Sequence, residues 1–336
     1  MKLSLGVGMT NACNLACAHC YRSLGTDALS VEQVLEATEA VPTRAVNFGT
    51  GENGLHPDFP RVVRELDARG IGVTMTTNGY SAKVLDDDVL RLFKDVEFSI
   101  DYPSKDQHDL ARGDGNWELI QEQMQRCRGL GVATTIVSVL MAPNHLAMPA
   151  LLELAGSRGA FLRINVYQSS KRDQFTLSFE EFWTGFSLLF EHGDLITCGE
   201  PIVRAMLGIP RAEGAGCGRE TVRITPRGAI VPCVYGADDA LGLADLGRLG
   251  GAVVDAPSFA RLRVPPPDCA ACPHLATCGG GCPTRRSLRG RPDAPDAYCP
   301  IVRGREIALR ARHIDAGRAL TKAASACTTV LRARGV

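Results

Sequence analysis

The sequence predicts an α/β fold with a parallel sheet, followed by a small cysteine-rich region with little regular structure. Up to about residue 168, short apolar or β-branched runs alternate with helical patterns in the order strand, helix, strand. From residue 214 onward the composition changes, and the chain becomes rich in Gly, Pro and Cys. Parallel strands need right-handed crossovers, so the sheet is either doubly wound or curved into a full or partial barrel. Periodicity alone does not choose between these two arrangements.

Six βα units are predicted in the first part of the chain, which we take as a core domain over residues 1–175. Ser30 and Gln33 have the spacing of a capping box, so the first helix is expected to begin after Ser30. The predicted strands cover residues 3–9, 45–48, 72–76, 96–100, 132–141 and 161–167. The helical patterns cover residues 30–40, 57–69, 82–93, 116–130 and 145–157.

Two further helical segments are predicted outside this core. A connector over residues 176–213 contains Ser178 and Glu181, which repeat the capping-box spacing before an apolar helical pattern. The tail, residues 301–336, is rich in alanine and basic residues and is predicted to be a helix.

The cysteine-rich region is assigned to residues 214–300 and contains seven cysteines. Its strand patterns are limited to residues 221–225 and 229–232, on either side of a Pro-Arg-Gly turn. Because so little regular structure builds almost no apolar core, this region is expected to need metal to fold.

The charge and hydropathy of the chain exclude several classes of protein. Its 336 residues include 37 basic and 37 acidic side chains, so no global field would attract nucleic acid or an anionic membrane. It has no apolar run of the roughly 18 to 20 residues that cross a bilayer and no secretory signal at its start. We therefore expect a cytoplasmic protein whose partners are neither nucleic acid nor membrane.

The 13 cysteines indicate metal binding rather than disulfides, because their number is odd and no export signal precedes them. Cys13, Cys17 and Cys20 follow the first predicted strand with the spacing Cys-x3-Cys-x2-Cys. Three thiolates bind a four-iron cube so that one iron lacks a protein ligand and is open to chemistry. A structural zinc site is the alternative, but it needs a fourth ligand, and His19 is poorly placed between two of the cysteines.

The spacing Cys-x3-Cys-x2-Cys resembles the signature of the radical SAM superfamily. Segments at the ends of the next three predicted strands, and one before the following helix, are similar to family segments that contact S-adenosylmethionine (SAM). These positions agree with the rule that α/β sheets and barrels bind ligands at the carboxyl ends of their strands. The resemblance implies a partial (β/α)6 TIM-like barrel of the radical SAM type. The matching segments are Phe48-Gly49-Thr50-Gly51-Glu52, Thr76-Thr77-Asn78-Gly79, Ser99-Ile100-Asp101 and Arg112-Gly113.

The resemblance also implies a reaction and a set of SAM contacts. An iron-sulfur cluster binds SAM and cleaves it to a 5′-deoxyadenosyl radical, which abstracts hydrogen from a substrate carbon. The usual Gly-Gly-Glu-Pro loop is Thr-Gly-Glu-Asn here, so the loop after the glutamate is less rigid. The implied contacts are His19 at the adenine, Gly51 and Glu52 at the amino group, Asn78, Ser99 and Asp101 at the ribose or carboxylate, and Arg112 at the carboxylate.

The second group of cysteines resembles the SPASM domain, a C-terminal extension of one radical SAM subgroup. Zinc ribbons place two Cys-x2-Cys pairs about 15 to 20 residues apart, and this pattern does not. The resemblance implies two auxiliary [4Fe-4S] clusters in addition to the one that binds SAM. The implied ligands are Cys269, Cys272, Cys278 and Cys299 for an outer cluster and Cys217, Cys233 and Cys282 for an inner one.

The fourth ligand of the inner cluster is left open by the sequence. Cys198 and Glu220 are candidates, and an iron open to substrate is the third alternative. Cys127 and Cys327 are expected to be buried or incidental thiols. The basic stretch over residues 285–291 is expected to be a solvated face, with binding of an acidic peptide as the alternative.

Auxiliary clusters can accept electrons, so the resemblance implies a radical SAM oxidoreductase that oxidises its substrate. Modification of a ribosomally synthesised peptide, by a peptide maturase, is the first hypothesis. The alternative is a dehydrogenase or epimerase acting on a small aminocyclitol or sugar intermediate of antibiotic biosynthesis. The short segment before Cys13 favours a small substrate or a separate peptide-recognition protein. The chemistry implies a low-potential ferredoxin or flavodoxin as electron donor.

Two other functions are weaker alternatives. Sulfatase maturation is disfavoured because Val234, rather than an aspartate, follows Cys233. A non-enzymatic cluster or zinc protein would require the SAM-like segments to match by accident. No general base or radical quencher is assigned. Side chains in plausible regions are Tyr167, Lys171, Tyr235, Asp238 and Asp239.

Overall fold

The computed structural model describes residues 2–22, 24–210, 218–236, 241–317 and 327–335. None of the helices in these ranges is long and apolar enough to cross a membrane. The strands are β1 (Leu3–Val7), β2 (Thr43–Phe48), β3 (Gly72–Thr77), β4 (Phe93–Ser99), β5 (Thr134–Leu140), β6 (Phe161–Val166), β7 (Gly193–Cys198), β8 (Thr221–Ile224), β9 (Ile230–Val231) and β10 (Thr328–Ala333). The α-helices are α1 (Val31–Ala40), α2 (Phe59–Ala68), α3 (Tyr80–Val84), α4 (Asp87–Leu90), α5 (Lys105–Arg112), α6 (Asn116–Gly129), α7 (Met148–Ser157), α8 (Phe179–His192), α9 (Pro201–Met206), α10 (Leu243–Leu249), α11 (Pro257–Ala260), α12 (Leu275–Cys278) and α13 (Pro283–Leu288).

The strands of the described residues form one sheet in the order β7-β10-β6-β5-β4-β3-β2-β1-β8-β9. Strands β1 to β6 are parallel and stand in sequence order, with at least one helix between each pair. A doubly wound sheet would reverse its strand order at one point, so this order is that of a barrel wall. Beyond this wall, β8 pairs with β1 in parallel, and β10 pairs with β6 antiparallel.

The barrel strands alternate between apolar residues that join the hydrophobic core and polar residues that face the inside of the barrel. In β3, Val73 and Met75 belong to the core, whereas Thr76 lines an internal cavity. This is the two-residue period of a strand with two different faces. Inside the barrel, Arg163 of β6 donates to Oε2 of Glu97 of β4 at 2.8 Å. The polar interior leads to the carboxyl ends of the strands, where the predicted site residues lie.

Both predicted capping boxes are present. The Ser30 N–H donates to Oε1 of Gln33 at 2.9 Å, and the Gln33 N–H donates to Oγ of Ser30 at 3.2 Å. Ser178 and Glu181 make the same reciprocal pair at 2.7 and 3.1 Å. Helices α1 and α8 therefore begin where the spacing predicts.

The region between β3 and α6 differs from its predicted helices. The single helix predicted over residues 82–93 is two short helices, α3 and α4, because Leu85 and Asp86 adopt extended backbone between them. Helix α5 was not predicted. Its buried side chains are the polar residues His108 and Asp109, so its sequence lacks the apolar periodicity that predicts a helix.

The predicted helix in the tail was wrong over its described residues. Residues 301–317 contain no helix, and Thr328–Ala333 form β10 between β6 and β7. The first three residues of this strand are β-branched and buried, which favours a strand when partner strands are available on both sides. The alanine-rich stretch over residues 318–326 lies outside the described residues. The connector also contains β7, which was not predicted.

Candidate active site

A cavity of about 1120 Å³ opens where the barrel strands end. Its wall includes the loop after β1, with Cys13, Cys17 and Cys20, and residues at the ends of β2, β3 and β4. Cys233 and Cys282 of the cysteine-rich region line the same cavity. One cavity thus contains thiols from both groups of cysteines.

The three cysteines of the first motif lie in the loop between β1 and α1. Their side chains are half-buried, and the Cys20 N–H donates to the Cys17 carbonyl at 3.0 Å. Burial raises the pKa of the Cys13 and Cys17 thiols. Within the described residues, no three metal-binding side chains converge on one point. The thiolates of a four-iron cube each bind a different iron, so a cube does not require the three sulfurs to converge on one ion.

Glu52 binds the loop that follows β3. Its side chain is buried, and its two oxygens accept hydrogen bonds from the N–H groups of Asn78 at 2.9 Å and Ser81 at 2.8 Å. The hydroxyls of Thr77 and Ser81 also donate to it. Burial raises the pKa of the Glu52 carboxyl, although these donors lower it. The residue predicted at the SAM amino group therefore holds the ends of β2 and β3 together.

Gly51 allows the loop after β2 to lie against the loop that leads into the first cysteine motif. Its φ is +71°, and a Cβ at this position would lie 2.1 Å from the carbonyl oxygen of Thr10. The next residue, Glu52, donates its N–H to the Ala12 carbonyl at 2.9 Å. Only glycine permits both the left-handed backbone and this close approach.

Asp101, Arg112 and His19 form one buried network. The Nε and one terminal nitrogen of Arg112 lie 2.9 and 2.7 Å from Oδ2 of Asp101, and Nε2 of His19 lies 3.2 Å from the same oxygen. Burial would raise the pKa of Asp101, but Arg112, His19 and the Val139 N–H hold it below its usual value. Burial lowers the pKa of the His19 imidazole more than the Asp101 carboxylate raises it.

Asn78 and Ser99 lie on the same rim of the barrel. The Asn78 Nδ2 donates to Oδ1 of Asn14 at 2.9 Å and lies 3.8 Å from Sγ of Cys13. Ser99 ends β4 and lines the cavity. The cavity wall also includes His19, Gly51, Glu52 and Arg112. Asp101, the remaining predicted SAM contact, has no exposed surface and contacts the cavity through Arg112 and His19.

Arg223 is a cavity residue that the sequence analysis missed. It lies on β8 and lines the cavity, and burial lowers the pKa of its guanidinium. Its side chain fits because the neighbouring position on β1 is Gly6, where a Cβ would lie 2.1 Å from a guanidinium nitrogen. The sequence signal that could have identified Arg223 is a charged residue within a short strand pattern that is otherwise uncharged.

The cysteines predicted for the outer cluster surround a small apolar cavity of their own. Residues 279–281 are three glycines in the left-handed region, directly after α12. A Cβ at Gly281 would lie 2.4 Å from that of Asp296, so these glycines let two loops meet closely. Four thiols around one apolar cavity suit a cluster that the protein ligates completely. The lining cysteines are Cys269, Cys272, Cys278 and Cys299.

The basic stretch over residues 285–291 is not uniformly a solvated face, and that prediction was wrong for its first two residues. Arg285 is 2% exposed and lies 2.6 Å from Oδ2 of Asp296 and 2.8 Å from Oε1 of Glu200. The same Asp296 oxygen accepts the Cys282 N–H at 2.8 Å. Two carboxylates satisfy the charge of this arginine, which is why it is buried.

The remaining predicted residues fall into three groups. Cys127 is buried in α6, as expected. The residues that lie outside the described part of the chain are Cys217, Asp238 and Asp239. The residues that line the main cavity are Tyr167, Lys171 and Tyr235.

Known proteins resemble this chain over most of its length. The radical SAM superfamily model matches residues 7–155. The mycofactocin maturase MftC of Mycobacterium tuberculosis (strain ATCC 25618 / H37Rv) is 28% identical over 344 residues, which cover 93% of this chain and 86% of the relative. The PqqA peptide cyclase of Xanthomonas euvesicatoria pv. vesicatoria is 24% identical and covers 83% of this chain and 82% of that relative.

Solved structures show the same fold. Streptococcus suis SuiB bound to precursor peptide SuiA has a TM-score of 0.66 at 16% identity and covers 89% of this chain and 76% of that chain. Native anSMEcpe with bound AdoMet has a TM-score of 0.68 at 16% identity and covers 90% of this chain and 95% of that chain. The predicted partial barrel of the radical SAM type, followed by a region with little regular structure, is confirmed. We conclude that residues 7–155 are a radical SAM domain of an enzyme that binds SAM and a [4Fe-4S] cluster, and that the chain is similar to a maturase and a peptide cyclase over most of its length.

Proposed function

We propose that this enzyme modifies a ribosomally synthesised peptide by radical chemistry, with net oxidation of the peptide. Relatives that span most of the chain are named a maturase and a peptide cyclase, and SuiB was solved with a precursor peptide. The observation in this chain that best supports the proposal is the cavity that contains thiols of both cysteine groups. A substrate bound there has a radical source on one side and an electron acceptor on the other.

When bound, the first cluster with SAM supplies an electron and a 5′-deoxyadenosyl radical. In this proposal Cys13, Cys17 and Cys20 ligate that cluster. Arg112 binds the SAM carboxylate. Burial would lower the pKa of its guanidinium, but Asp101 raises it above the usual value, so Arg112 stays charged in the cavity wall.

His19 contacts the adenine of SAM. Its ring packs edge-on against Phe175 with the centroids 6.1 Å apart, and Phe175 packs against Tyr167 at 5.7 Å. Of these rings, those of His19 and Tyr167 line the cavity and give it surface on which a nucleobase can pack. The other proposed SAM contacts are Gly51, Glu52, Asn78, Ser99 and Asp101, of which Asp101 acts through Arg112 and His19.

We assign three [4Fe-4S] clusters to each chain. The outer auxiliary cluster takes the four thiols around the small apolar cavity, Cys269, Cys272, Cys278 and Cys299. The inner one takes Cys217, Cys233 and Cys282, the last two of which line the main cavity. SAM cleavage needs an external electron, for which we propose a low-potential ferredoxin or flavodoxin. We also propose that a separate recognition protein delivers the peptide.

The cavity is larger than a site for one small ligand. Its volume of about 1120 Å³ exceeds the roughly 300–1,000 Å³ of sites that enclose one drug-sized ligand. Its lining residues come from the barrel and from the cysteine-rich region, so a peptide entering it contacts both.

The experiment compares substrates with anaerobically reconstituted enzyme, SAM and a reductant. One sample contains the precursor peptides of the maturase relatives, and the other contains an aminocyclitol. We expect 5′-deoxyadenosine formation to rise above its peptide-free level when a peptide is added, and mass spectrometry to show that peptide losing hydrogen. Oxidation of the aminocyclitol with every peptide unchanged would contradict the proposal and support the small-molecule alternative.

A further inference from the structure

The wall of the main cavity carries far more positive than negative side chains. Among the described residues that line it, seven are arginine or lysine and one, Glu52, is acidic. The oxygens of Glu52 are already occupied by donors of residues 77–81. The chain as a whole has equal numbers of acidic and basic residues, so the excess is local to this cavity. A cavity lined by charges of one sign attracts ligands of the opposite sign.

Most of these cations already have a partner in the described part of the chain. Arg112, Arg163 and Arg227 lie 2.7, 2.8 and 3.1 Å from a carboxylate oxygen. Arg22 and Lys171 donate to backbone carbonyls. These five side chains therefore hold the wall together, and their charges are partly or fully satisfied before any ligand enters.

The two remaining cations differ in their surroundings. Arg172 is exposed, so water satisfies its charge. Arg223 is half-buried in the barrel wall, and no carboxylate of the described residues pairs with it. A substrate that fills the cavity removes water from this guanidinium, which does not lose its proton. A desolvated charge needs a partner of opposite sign, so Arg223 lacks an anion that the substrate can supply.

Arg223 is also placed where a substrate between the two groups of cysteines would meet it. Its strand, β8, lies between β1 and β9, and it pairs with Gly6 on one side and Val231 on the other. Strand β1 leads into the first cysteine motif, and Val231 lies two residues before Cys233. A Cβ at Gly6 would lie 2.1 Å from a terminal nitrogen of Arg223 and 2.9 Å from its Cζ. The guanidinium therefore lies across the cavity face of β1.

We propose that Arg223 binds a carboxylate group of the peptide substrate and thereby positions the peptide between the two groups of cysteines. This inference rests on the proposed function, which makes a peptide the substrate. The carboxylate is that of an aspartate or glutamate side chain or of the peptide's C-terminus, since the planar guanidinium binds the two oxygens of either group. Arg112 does not compete for it, because Asp101 orients Arg112 within the proposed SAM site.

The first test changes the peptide. Anaerobically reconstituted full-length enzyme receives the precursor peptides of the maturase relatives in three synthetic forms: unchanged, with a C-terminal amide, and with asparagine and glutamine in place of aspartate and glutamate. We expect kcat/KM for peptide modification to fall about 10- to 100-fold for one of the two neutralised forms, which identifies the source of the carboxylate. Equal kcat/KM for all three forms would overturn the proposal and leave the proposed function intact. No modification of any form would contradict the proposed function and this inference with it.

The second test changes the residue. Arg223→Gln should modify the unchanged and the neutralised peptide with similar kcat/KM, and Arg223→Lys should keep part of the preference because it keeps the charge. Arg227→Gln is the matched control, since Arg227 lines the same cavity but pairs with Asp27 at 3.1 Å. It should keep the preference of the wild type. A preference that persists in Arg223→Gln would overturn the proposal.

A third measurement separates binding of substrate from support of a neighbouring cluster. Iron content and the electron paramagnetic resonance spectrum of the reduced protein are compared for the wild type and Arg223→Gln without peptide. We expect the variant to keep its iron and its cluster signals, because its effect appears only when a carboxylate must be bound. Loss of iron or of a cluster signal, together with an unchanged peptide preference, would show that Arg223 supports a cluster and would overturn the proposal.

Discussion

At the scale of single residues, the two buried carboxylates of the rim are stabilised in different ways. Glu52 is bound by backbone N–H groups and hydroxyls of residues 77–81, between the end of β3 and the start of α3. Asp101 is bound by the guanidinium of Arg112. Their pKa values therefore shift in opposite directions, upward for Glu52 and downward for Asp101. The first carboxylate holds the shape of the rim, and the second keeps a charged arginine in place.

Replacing Glu52 with glutamine should weaken the rim. The amide presents an NH2 group in place of one carboxylate oxygen, and because each oxygen of Glu52 accepts a backbone N–H, one buried N–H loses its acceptor. We expect a loss of about 1–3 kcal/mol in the free energy of unfolding, measured with urea. Glu36→Gln, at an exposed position of α1, is the control and should change stability little. Equal stability of both variants would show that the hydrogen bonds to Glu52 do not stabilise the rim.

Replacing Asp101 with asparagine should have a pH-dependent effect. The folded pKa of Asp101 lies below its unfolded value, so its ionic contribution to stability is present above about pH 4 and is lost as pH falls through the folded pKa. At pH 7 we expect Asp101→Asn to cost about 3 kcal/mol, because Arg112 stays buried without its charge partner. The difference from the wild type should shrink on acidification below about pH 4. A difference that is constant from pH 7 to pH 3 would contradict this network.

At the scale of elements, the loop after β2 shows why a glycine is needed in the Gly-Thr-Gly-Glu segment. Gly51 and Gly70 have nearly the same left-handed φ, +71° and +70°. A Cβ at Gly51 would collide with a backbone oxygen, whereas a Cβ at Gly70 would meet nothing within 4 Å. The two positions therefore separate the cost of the left-handed backbone from the cost of the collision.

Alanine at these two positions gives a matched comparison. Gly70→Ala should lose only the roughly 1–2 kcal/mol of the left-handed backbone. Gly51→Ala should lose clearly more and should also weaken SAM binding, because the loops that carry Glu52 and the first cysteine motif must move apart. Urea unfolding and calorimetric titration with SAM measure the two effects. Equal losses for both variants would show that the close contact at Gly51 is not important.

The elements that sequence could predict are those with local patterns. The parallel strands follow from runs of apolar residues, and α1 and α8 begin at their capping boxes. Strand β10 could not be predicted in this way, because its partners β6 and β7 lie more than a hundred residues earlier and supply the burial that makes it a strand. An alanine-rich neighbouring segment favoured a helix instead.

The candidate site could likewise be predicted from the sequence only in part. The spacing of the cysteines and the strand-end segments indicated which residues face the cavity. The partners of those residues did not follow from spacing. Three features depend on contacts between distant segments. His19 and Arg112 share Asp101, Arg223 uses the space left by Gly6, and Cys327 reaches the cavity.

At the scale of the whole molecule, Arg285 connects the cysteine-rich region to the connector. It binds Asp296, which lines the small apolar cavity, and Glu200, which caps α9. Its guanidinium also lies over the ring of Tyr298, 4.8 Å from the centroid, and Tyr298 stacks on Phe182 of α8 at 4.3 Å. One buried cation thus holds together the segments that surround both proposed auxiliary clusters.

Arg285→Met should therefore destabilise the molecule strongly. It leaves two carboxylates buried without a cation, for which about 3–5 kcal/mol is expected. Arg291→Met, in the same basic stretch but exposed, is the matched control and should have little effect. Chemical unfolding of the anaerobically reconstituted, iron-loaded proteins measures both. A small effect at Arg285 would mean that the cysteine-rich region does not depend on this connection.

The central claim is that the first cysteine motif supports radical SAM chemistry, and release of 5′-deoxyadenosine tests it most directly. Reconstituted wild-type protein, Cys17→Ala and Cys127→Ala are each incubated with SAM and a strong reductant, and the product is quantified by chromatography. Cys17 lines the cavity, whereas Cys127 is buried in α6. We expect 5′-deoxyadenosine release by the wild type and by Cys127→Ala, and none above background by Cys17→Ala. Release that persists without Cys17, or its absence from iron-loaded wild type that has bound SAM, would contradict it.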